Sequence, residues 1–141
     1  MKKVILLSRG KSVVDPYGTN LVLNGEFTTN TDDWIASDST LASVSGQLEI
    51  TETAQNANAK QYITTEVGSD YFVEVDVAQG TGSDFSIRFG AWIRNAATDW
   101  GTITYTYTAT GTSTTLMLYG DYSDATSHTT YYDNVRVRKL I

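Results

Sequence analysis

The chain has 141 residues, ten lysines and arginines against sixteen aspartates and glutamates, and no cysteine. That length fits one domain, and the absence of cysteine excludes disulfides, thiolate metal sites and cysteine nucleophiles. A formal charge of −6 repels a phosphate backbone, so nucleic acid is not an expected partner. No run approaches the roughly 18 apolar residues of a membrane span, so no membrane partner is expected either.

Residues 1–18 differ in composition from the rest of the chain and are predicted to form a basic N-terminal arm, with the folded domain in residues 19–141. The apolar run at residues 4–7 is shorter than the roughly seven residues of a signal-peptide core, so no signal peptide is expected. A frayed terminus is one interpretation of the arm. The other is an assembly contact, because the apolar run is long enough to add a strand to a neighbour's sheet. The predicted contact residues are Lys2, Lys3, Val4, Ile5, Leu6, Leu7, Arg9 and Lys11.

From residue 20 onward, short runs of β-branched and aromatic residues alternate with turn-forming residues, and no stretch keeps a helical period. In the run 85–93 the alternation predicts that Arg88 and Trp92 point outward, and in the last run it places Tyr131 on the same inner face as Val135 and Val137. Such a pattern predicts an all-β domain of two packed antiparallel sheets, although periodicity alone does not separate a sandwich from a barrel or a jelly roll. The predicted strands lie at residues 21–27, 47–53, 60–65, 71–77, 85–93, 103–107, 116–119 and 131–140.

Four segments resemble the family 4/9 carbohydrate-binding modules, which belong to the galactose-binding-like jelly rolls. Residues 20–27 with the following Asp33 and Trp34 are similar to the family's opening phrase. Residues 68–75, 100–109 and 131–137 are similar to three later strands, in order and at plausible spacing. The resemblance covers residues 20–140 and implies a two-sheet antiparallel jelly-roll β-sandwich, preceded by the extended N-terminal arm.

The resemblance also implies a structural calcium ion near the meeting of the first and last strands. The matching positions are Glu26, the backbone carbonyl of Gly46, and Asp133. Carboxylate and carbonyl oxygens suit calcium, but three positions fall short of its usual six to eight ligands. The alternative is that both carboxylates hydrogen-bond to strand ends, and no other cofactor is expected.

A glycan groove on one sheet is the second implied site, because sugar rings stack on aromatic faces while polar groups bind the hydroxyls. Trp34 and Trp100 match positions that the resemblance implies to be structural. Another interpretation is that Arg88 and Arg94 pair with Glu74 and Asp76 on a neighbouring strand. The predicted glycan-binding residues are Trp92, Tyr119, Arg88 and Tyr122, with Arg94 as a further polar neighbour.

Catalytic machinery is not recognisable in the sequence. His128 is the only histidine and lies in a polar segment that is predicted to be a solvated loop. No nucleophile-elbow sequence accompanies it, and the glycine-containing turn at residues 80–83 lacks the lysine of a phosphate loop. We therefore do not expect an enzyme.

Two functions follow as expectations. The first is a virion structural protein, made in the host cytoplasm: a phage capsid decoration or cement subunit that forms a trimer and uses its arm to hold the major capsid protein or another virion protein. The alternative is a carbohydrate-binding module, or a tail or fibre component, that binds glycans through an aromatic face.

Overall fold

The computed structural model describes residues 4–6, 12–96, 101–121 and 127–141, with side chains described for residues 15–92, 101–121 and 127–141. These residues form thirteen β-strands and no helix, so none of them belongs to a helix long and apolar enough to cross a membrane. The strands are β1 Val4–Leu6, β2 Ser12–Val14, β3 Tyr17–Asn20, β4 Ile35–Ser37, β5 Ser39–Val44, β6 Gln47–Glu52, β7 Asn58–Thr64, β8 Asp70–Gln79, β9 Asp84–Phe89, β10 Ala91–Ala96, β11 Gly101–Thr108, β12 Ser113–Tyr119 and β13 Thr129–Leu140.

Two antiparallel sheets face each other. One has five strands in the order β10-β9-β12-β7-β4, and the other has six in the order β11-β8-β13-β6-β5, with β3 paired to β13. Neighbours in space are mostly distant in sequence, as the crossing connections of a jelly roll require. The predicted fold, an all-β antiparallel jelly-roll sandwich, is confirmed.

The core lies between the sheets and is built from the alternate, inward-facing residues of the long strands. Val73, Val75 and Val77 of β8 are buried in the same hydrophobic cluster as the inward-facing residues of β9, which are Phe85, Ile87 and Phe89. Tyr132 of β13 is fully buried, and its hydroxyl donates to the backbone carbonyls of Tyr119, at 2.5 Å, and Ser86, at 3.3 Å. Because both acceptors belong to the five-stranded sheet, this one side chain links the two sheets.

The prediction of a strand over residues 21–27 is wrong. The nearest strand is β3, which ends at Asn20. The loop that follows makes two backbone hydrogen bonds to β13, from the Leu21 amide to the Val137 carbonyl at 2.9 Å and from the Val135 amide to the Gly25 carbonyl at 3.0 Å, and is also held by a side chain. The amide of Leu23 donates to the side-chain carbonyl of Gln61 at 2.8 Å, and the Gln61 amide group donates back to the Leu23 carbonyl at 3.0 Å. Val22 and Phe27 of this loop are buried in the core, so its apolar residues are core residues without being part of a strand.

The run 85–93 is two strands, not one. The chain reverses at Gly90, whose φ of +71° is easily reached by glycine, and β10 then pairs back along β9. This hairpin sets Trp92 directly opposite Arg88. Both side chains therefore share the outer face, as alternation predicts, although on adjacent strands.

A β-bulge in β13 corrects the predicted face of Tyr131. The register of β13 against β8 shifts between Asp133 and Arg136, where Asn134 has a φ of +47°. One extra residue inverts the alternation, so Tyr132 shares the buried face with Val135 and Val137. Tyr131 points the other way and donates from its hydroxyl to Glu49 at 2.6 Å.

Two segments of the predicted arm are described. The strands β1 and β2 pair with each other as a two-stranded sheet, with Val4 opposite Val14, whereas the predicted strand addition involves a neighbouring chain. The predicted arm residues Lys2, Lys3, Leu7, Arg9 and Lys11 lie outside the described residues. Tyr17 already pairs with Leu140 of the sandwich, and the division of the chain at residue 18 stays a prediction.

Candidate functional site

The outer face of the five-stranded sheet collects the predicted glycan-binding residues that the structure describes. Its central strand is β12, with β7 on one side and β9 on the other. Met117 of β12 is the pairing partner of both Lys60 on β7 and Arg88 on β9, and Arg88 in turn pairs with Trp92. These residues form one row across the sheet, which is called the cationic row below: Lys60, Met117, Arg88 and Trp92.

Rows on either side of the cationic row complete the face. In one, Tyr62 lies opposite Thr115. In the other, Tyr119 lies between Asn58 and Ser86. Aromatic, cationic and hydroxyl groups thus lie on three consecutive rows of a single sheet face.

Trp92 and Tyr62 are the two aromatic side chains among the exposed large apolar residues of the described chain, at 44% and 59% exposure. Both belong to this face, on β10 and β7 respectively. Each ring has a cation beside it. The guanidinium carbon of Arg88 lies 5.0 Å from the Trp92 ring centre, and the Lys60 ammonium lies 6.0 Å from the Tyr62 ring centre.

Tyr119 does not offer an exposed ring, so that part of the sequence prediction is wrong. It is 6% exposed, and its ring centre lies 5.0 Å from that of Trp92 at an angle of 34° between the planes. Its hydroxyl contacts the Met117 sulfur at 3.3 Å. Tyr119 therefore supports Trp92 and Met117 and helps to fix where these two side chains stand.

A cleft of about 400 Å³ opens beside the cationic row. Arg88, Thr115 and Met117 line it from the sheet face. Tyr107 reaches it from β11 of the other sheet, with its hydroxyl 3.3 Å from Thr110. The cleft and the exposed face share Arg88, Thr115 and Met117 and so form one continuous surface.

Sequence reasoning missed Tyr62, Lys60 and Met117. The signal for the first two is present, since Lys60, Tyr62 and Thr64 alternate with the buried Gln61 and Ile63. Alternation indicates which side chains point away from the core. It does not tell which strands become neighbours, and only the order β7-β12-β9 brings these side chains to Arg88 and Trp92.

The structure does not describe the side chains of the two remaining predicted groove residues. Tyr122 lies outside the described residues, and for Arg94 only the backbone is described, paired with Ser86. The alternative pairing of Arg88 with Glu74 is wrong, because β8 belongs to the other sheet, where Glu74 accepts from Arg136 at 3.0 Å. Among the described residues Arg88 has no carboxylate partner.

The two predicted carboxylate ligands for calcium are near each other. Partial burial, followed by repulsion from Glu26 and Asp76, raises the pKa of Asp133. Glu26, however, pairs with Arg136 at 3.3 Å, and Asp133 accepts from the Asn134 amide at 2.8 Å. No group of three His, Cys, Asp or Glu residues in the described chain could hold a metal. These residues do not by themselves make up a calcium site, and calcium stays a prediction there.

Trp34 and His128 both make hydrogen bonds to the backbone of the domain. Trp34 is 8% exposed, and its indole nitrogen donates to the Asn24 carbonyl at 3.0 Å, which confirms its predicted structural role. His128 is half-buried, and its carbonyl accepts from the backbone amide of Glu52 at 3.1 Å. Trp100 lies outside the described residues.

Comparison with solved structures identifies the class of fold. A structure described as "CBM4 structure and function" aligns with a TM-score of 0.63 at 20% identity, covering 84% of this chain and 99% of the other. The N-terminal cellulose-binding domain of β-1,4-glucanase C from Cellulomonas fimi aligns with a TM-score of 0.58 at 14% identity, covering 88% and 99%. The chain therefore has the jelly-roll fold of carbohydrate-binding modules.

A bacteriophage protein has the same fold in one part. The enzymatically active domain of tailspike protein 4 from bacteriophage CBA120 aligns with a TM-score of 0.58 at 14% identity, covering 86% of this chain and 21% of the tailspike chain. No protein-family model and no curated protein matches the sequence. Similarity at these identities establishes the fold, and the function has to be argued from the site.

Proposed function

We propose that the chain is a glycan-binding module and that its ligand lies on the outer face of the five-stranded sheet. The observation that carries the proposal is the pair of exposed rings, Trp92 and Tyr62, on either side of Met117 and beside an open cleft. The proposed action is binding without catalysis.

The chemistry of this face suits a polysaccharide. The apolar faces of sugar rings gain from burial against flat aromatic rings, and hydroxyl and cationic groups nearby can satisfy the sugar hydroxyls. Trp92 is supported by Tyr119 beneath it and by the β9–β10 hairpin, so its ring is preorganised. A preorganised ring loses less conformational entropy when a ligand binds.

Fold neighbours favour the same function. A cellulose-binding domain of a β-1,4-glucanase has this fold, so β-linked polysaccharides are the first ligands to test. A phage tailspike domain also has this fold. It favours the variant of the proposal in which the chain is a tail or fibre component, because such a component would also bind glycans. Capsid decoration, the other function predicted from the sequence, has no support from these comparisons.

The direct test is affinity electrophoresis of the whole chain through gels that contain soluble polysaccharides. We expect retardation by at least one polymer, with Trp92→Ala and Tyr62→Ala each weakening it. Truncating a central aromatic anchor of an interface costs about 1–2 kcal/mol or more, which corresponds to about tenfold in Kd.

The matched control is Tyr131→Ala, which removes a half-buried tyrosine from the outer face of the other sheet. It should leave retardation unchanged. Binding that Tyr131→Ala weakens as much as Trp92→Ala does would move the site to the other sheet and refute the proposal.

A further inference from the structure

Charge is distributed unevenly over the two sheets. The side chains that the structure describes include five lysines and arginines, and the three on β13 are all paired with carboxylates. Arg136 pairs with Glu74 and Glu26, Arg138 lies 3.8 Å from Asp15, and Lys139 pairs with Glu66. The other two cations are Lys60 and Arg88, and both belong to the cationic row.

Neither Lys60 nor Arg88 has a carboxylate partner among the described residues. Their described neighbours are the rings of Tyr62 and Trp92, and a ring attracts a cation without neutralising it. The described carboxylate on the same face is Asp84, which lies four residues from Arg88 along β9 and accepts from the Phe85 amide at 2.8 Å. In a chain with a formal charge of −6, two cations on one row that have no carboxylate partner in the described part of the chain favour an anionic ligand.

The spacing of the two cations fits a polymer that crosses the strands. Lys60 and Arg88 are both pairing partners of Met117, so they lie two strand spacings apart. That separation is about 10 Å between backbones. Met117 between them and the rings beside them supply apolar surface for the sugar rings.

We propose that this face recognises acidic polysaccharides, with Arg88 and Lys60 contacting the carboxylate groups of uronic acid residues. The inference rests on the proposed function, and it adds the class of glycan. Arg88 supplies a planar fork of donors that matches a carboxylate, and Lys60 supplies a mobile point charge. The three other cations whose side chains the structure describes are already paired with carboxylates, so within the described sandwich this row is the place that attracts an acidic polymer.

The test compares each of several uronic acid polymers with its own neutral derivative. Polygalacturonate, alginate and glucuronoxylan are used before and after reduction of their carboxyl groups to hydroxymethyl groups. We expect tighter binding of the unreduced form of at least one polymer, with an affinity that falls as salt is raised. Lys60→Gln and Arg88→Gln should each weaken this binding about fivefold, the upper range for an exposed ion pair.

Lys139→Gln is the matched control, since it removes the same charge from an exposed site on the other sheet. It should leave the affinity unchanged. Equal or tighter binding of the reduced polymers would overturn the acidic specificity while leaving the proposed function standing. Absence of binding to every polymer, acidic or neutral, would refute both proposals. Equal affinity for dextran sulfate or oligo-dT would indicate unspecific anion binding and would also overturn the acidic specificity.

Discussion

Gly90 holds the position of Trp92 through two separate constraints. Its φ of +71° is unfavourable for any residue with a Cβ. A Cβ built there would also lie 2.1 Å from the ring of Tyr107, which packs edge-on against Phe89 with 5.6 Å between ring centres. The turn that presents Trp92 beside Arg88 thus depends on both the backbone freedom and the small size of this glycine.

Gly90→Ala should destabilise the chain by about 3 kcal/mol, from backbone strain together with displacement of the half-buried Tyr107 ring. Urea unfolding measures the loss. Gly68→Ala is the control for strain alone, since Gly68 has a φ of +84° and open space around it, and it should cost about 1 kcal/mol. Equal costs for the two substitutions would mean that the Tyr107 ring moves aside freely, and that it does not fix the hairpin.

At the scale of elements, the long strands could be predicted from the sequence because each has one buried face. The predicted strand 71–77 lies inside β8, and 47–53 almost coincides with β6. The alternation of apolar and polar residues does not show where a bulge or a turn interrupts a strand. The bulge at Asn134 inverts the face of Tyr131, and the turn at Gly90 divides one predicted strand into two.

The candidate site could be predicted only in part for a related reason. The outward direction of Arg88 and Trp92 is local information, and the sequence provides it. Tyr119 is buried, and the Trp92 ring that packs beside it belongs to a strand that is not its immediate neighbour. Tyr62 and Lys60 join the site through the order of strands, which depends on long-range pairing and not on any short pattern.

The bulge in β13 also gathers carboxylates, which predicts a pH dependence. Burial and the neighbouring Glu26 and Asp76 raise the pKa of Asp133. The folded chain therefore binds this proton more tightly than the unfolded chain does. The stability that the proton contributes is present at low pH and is lost as pH rises through the folded-state pKa of Asp133.

Asp133→Asn should therefore be more stable than the native chain at pH 7 in chelator, by a few tenths of a kcal/mol, about the size of exposed charge interactions. The difference should vanish as pH falls below the pKa of Asp133. Thermal unfolding across that range measures it, and a native chain that is the more stable one at pH 7 in chelator would contradict the prediction. Repeating the measurement with calcium tests the predicted ion, because a bound ion would raise the Tm of the native chain and not that of the variant.

At the scale of the whole molecule, the sandwich extends further toward the N-terminus than its composition indicates. Asp15 is buried, accepts from the Tyr17 amide at 2.9 Å and lies 3.8 Å from Arg138. The amide of Ile141 donates to the carbonyl of Pro16 at 2.9 Å. Tyr17 stacks on Phe72 with 4.8 Å between ring centres. The contacts of residues 15–17 therefore stabilise the folded domain. An arm that can be removed without loss of stability has to end before Asp15.

This boundary allows the assembly prediction to be tested without damaging the fold. An isolated two-stranded sheet is marginally stable in water, so the β1–β2 hairpin needs a surface to pack on, and the assembly prediction supplies a second copy of the chain as that surface. If the arm is an assembly contact, light scattering should give the full chain a multiple of its 15.5 kDa mass, and a chain that starts at Asp15 a single mass with a similar Tm. A full chain of single mass would refute the arm as a contact between copies. A shortened chain that still assembles would place the contact on the sandwich, and glycan retardation with Trp92→Ala would then show whether that contact covers the binding face.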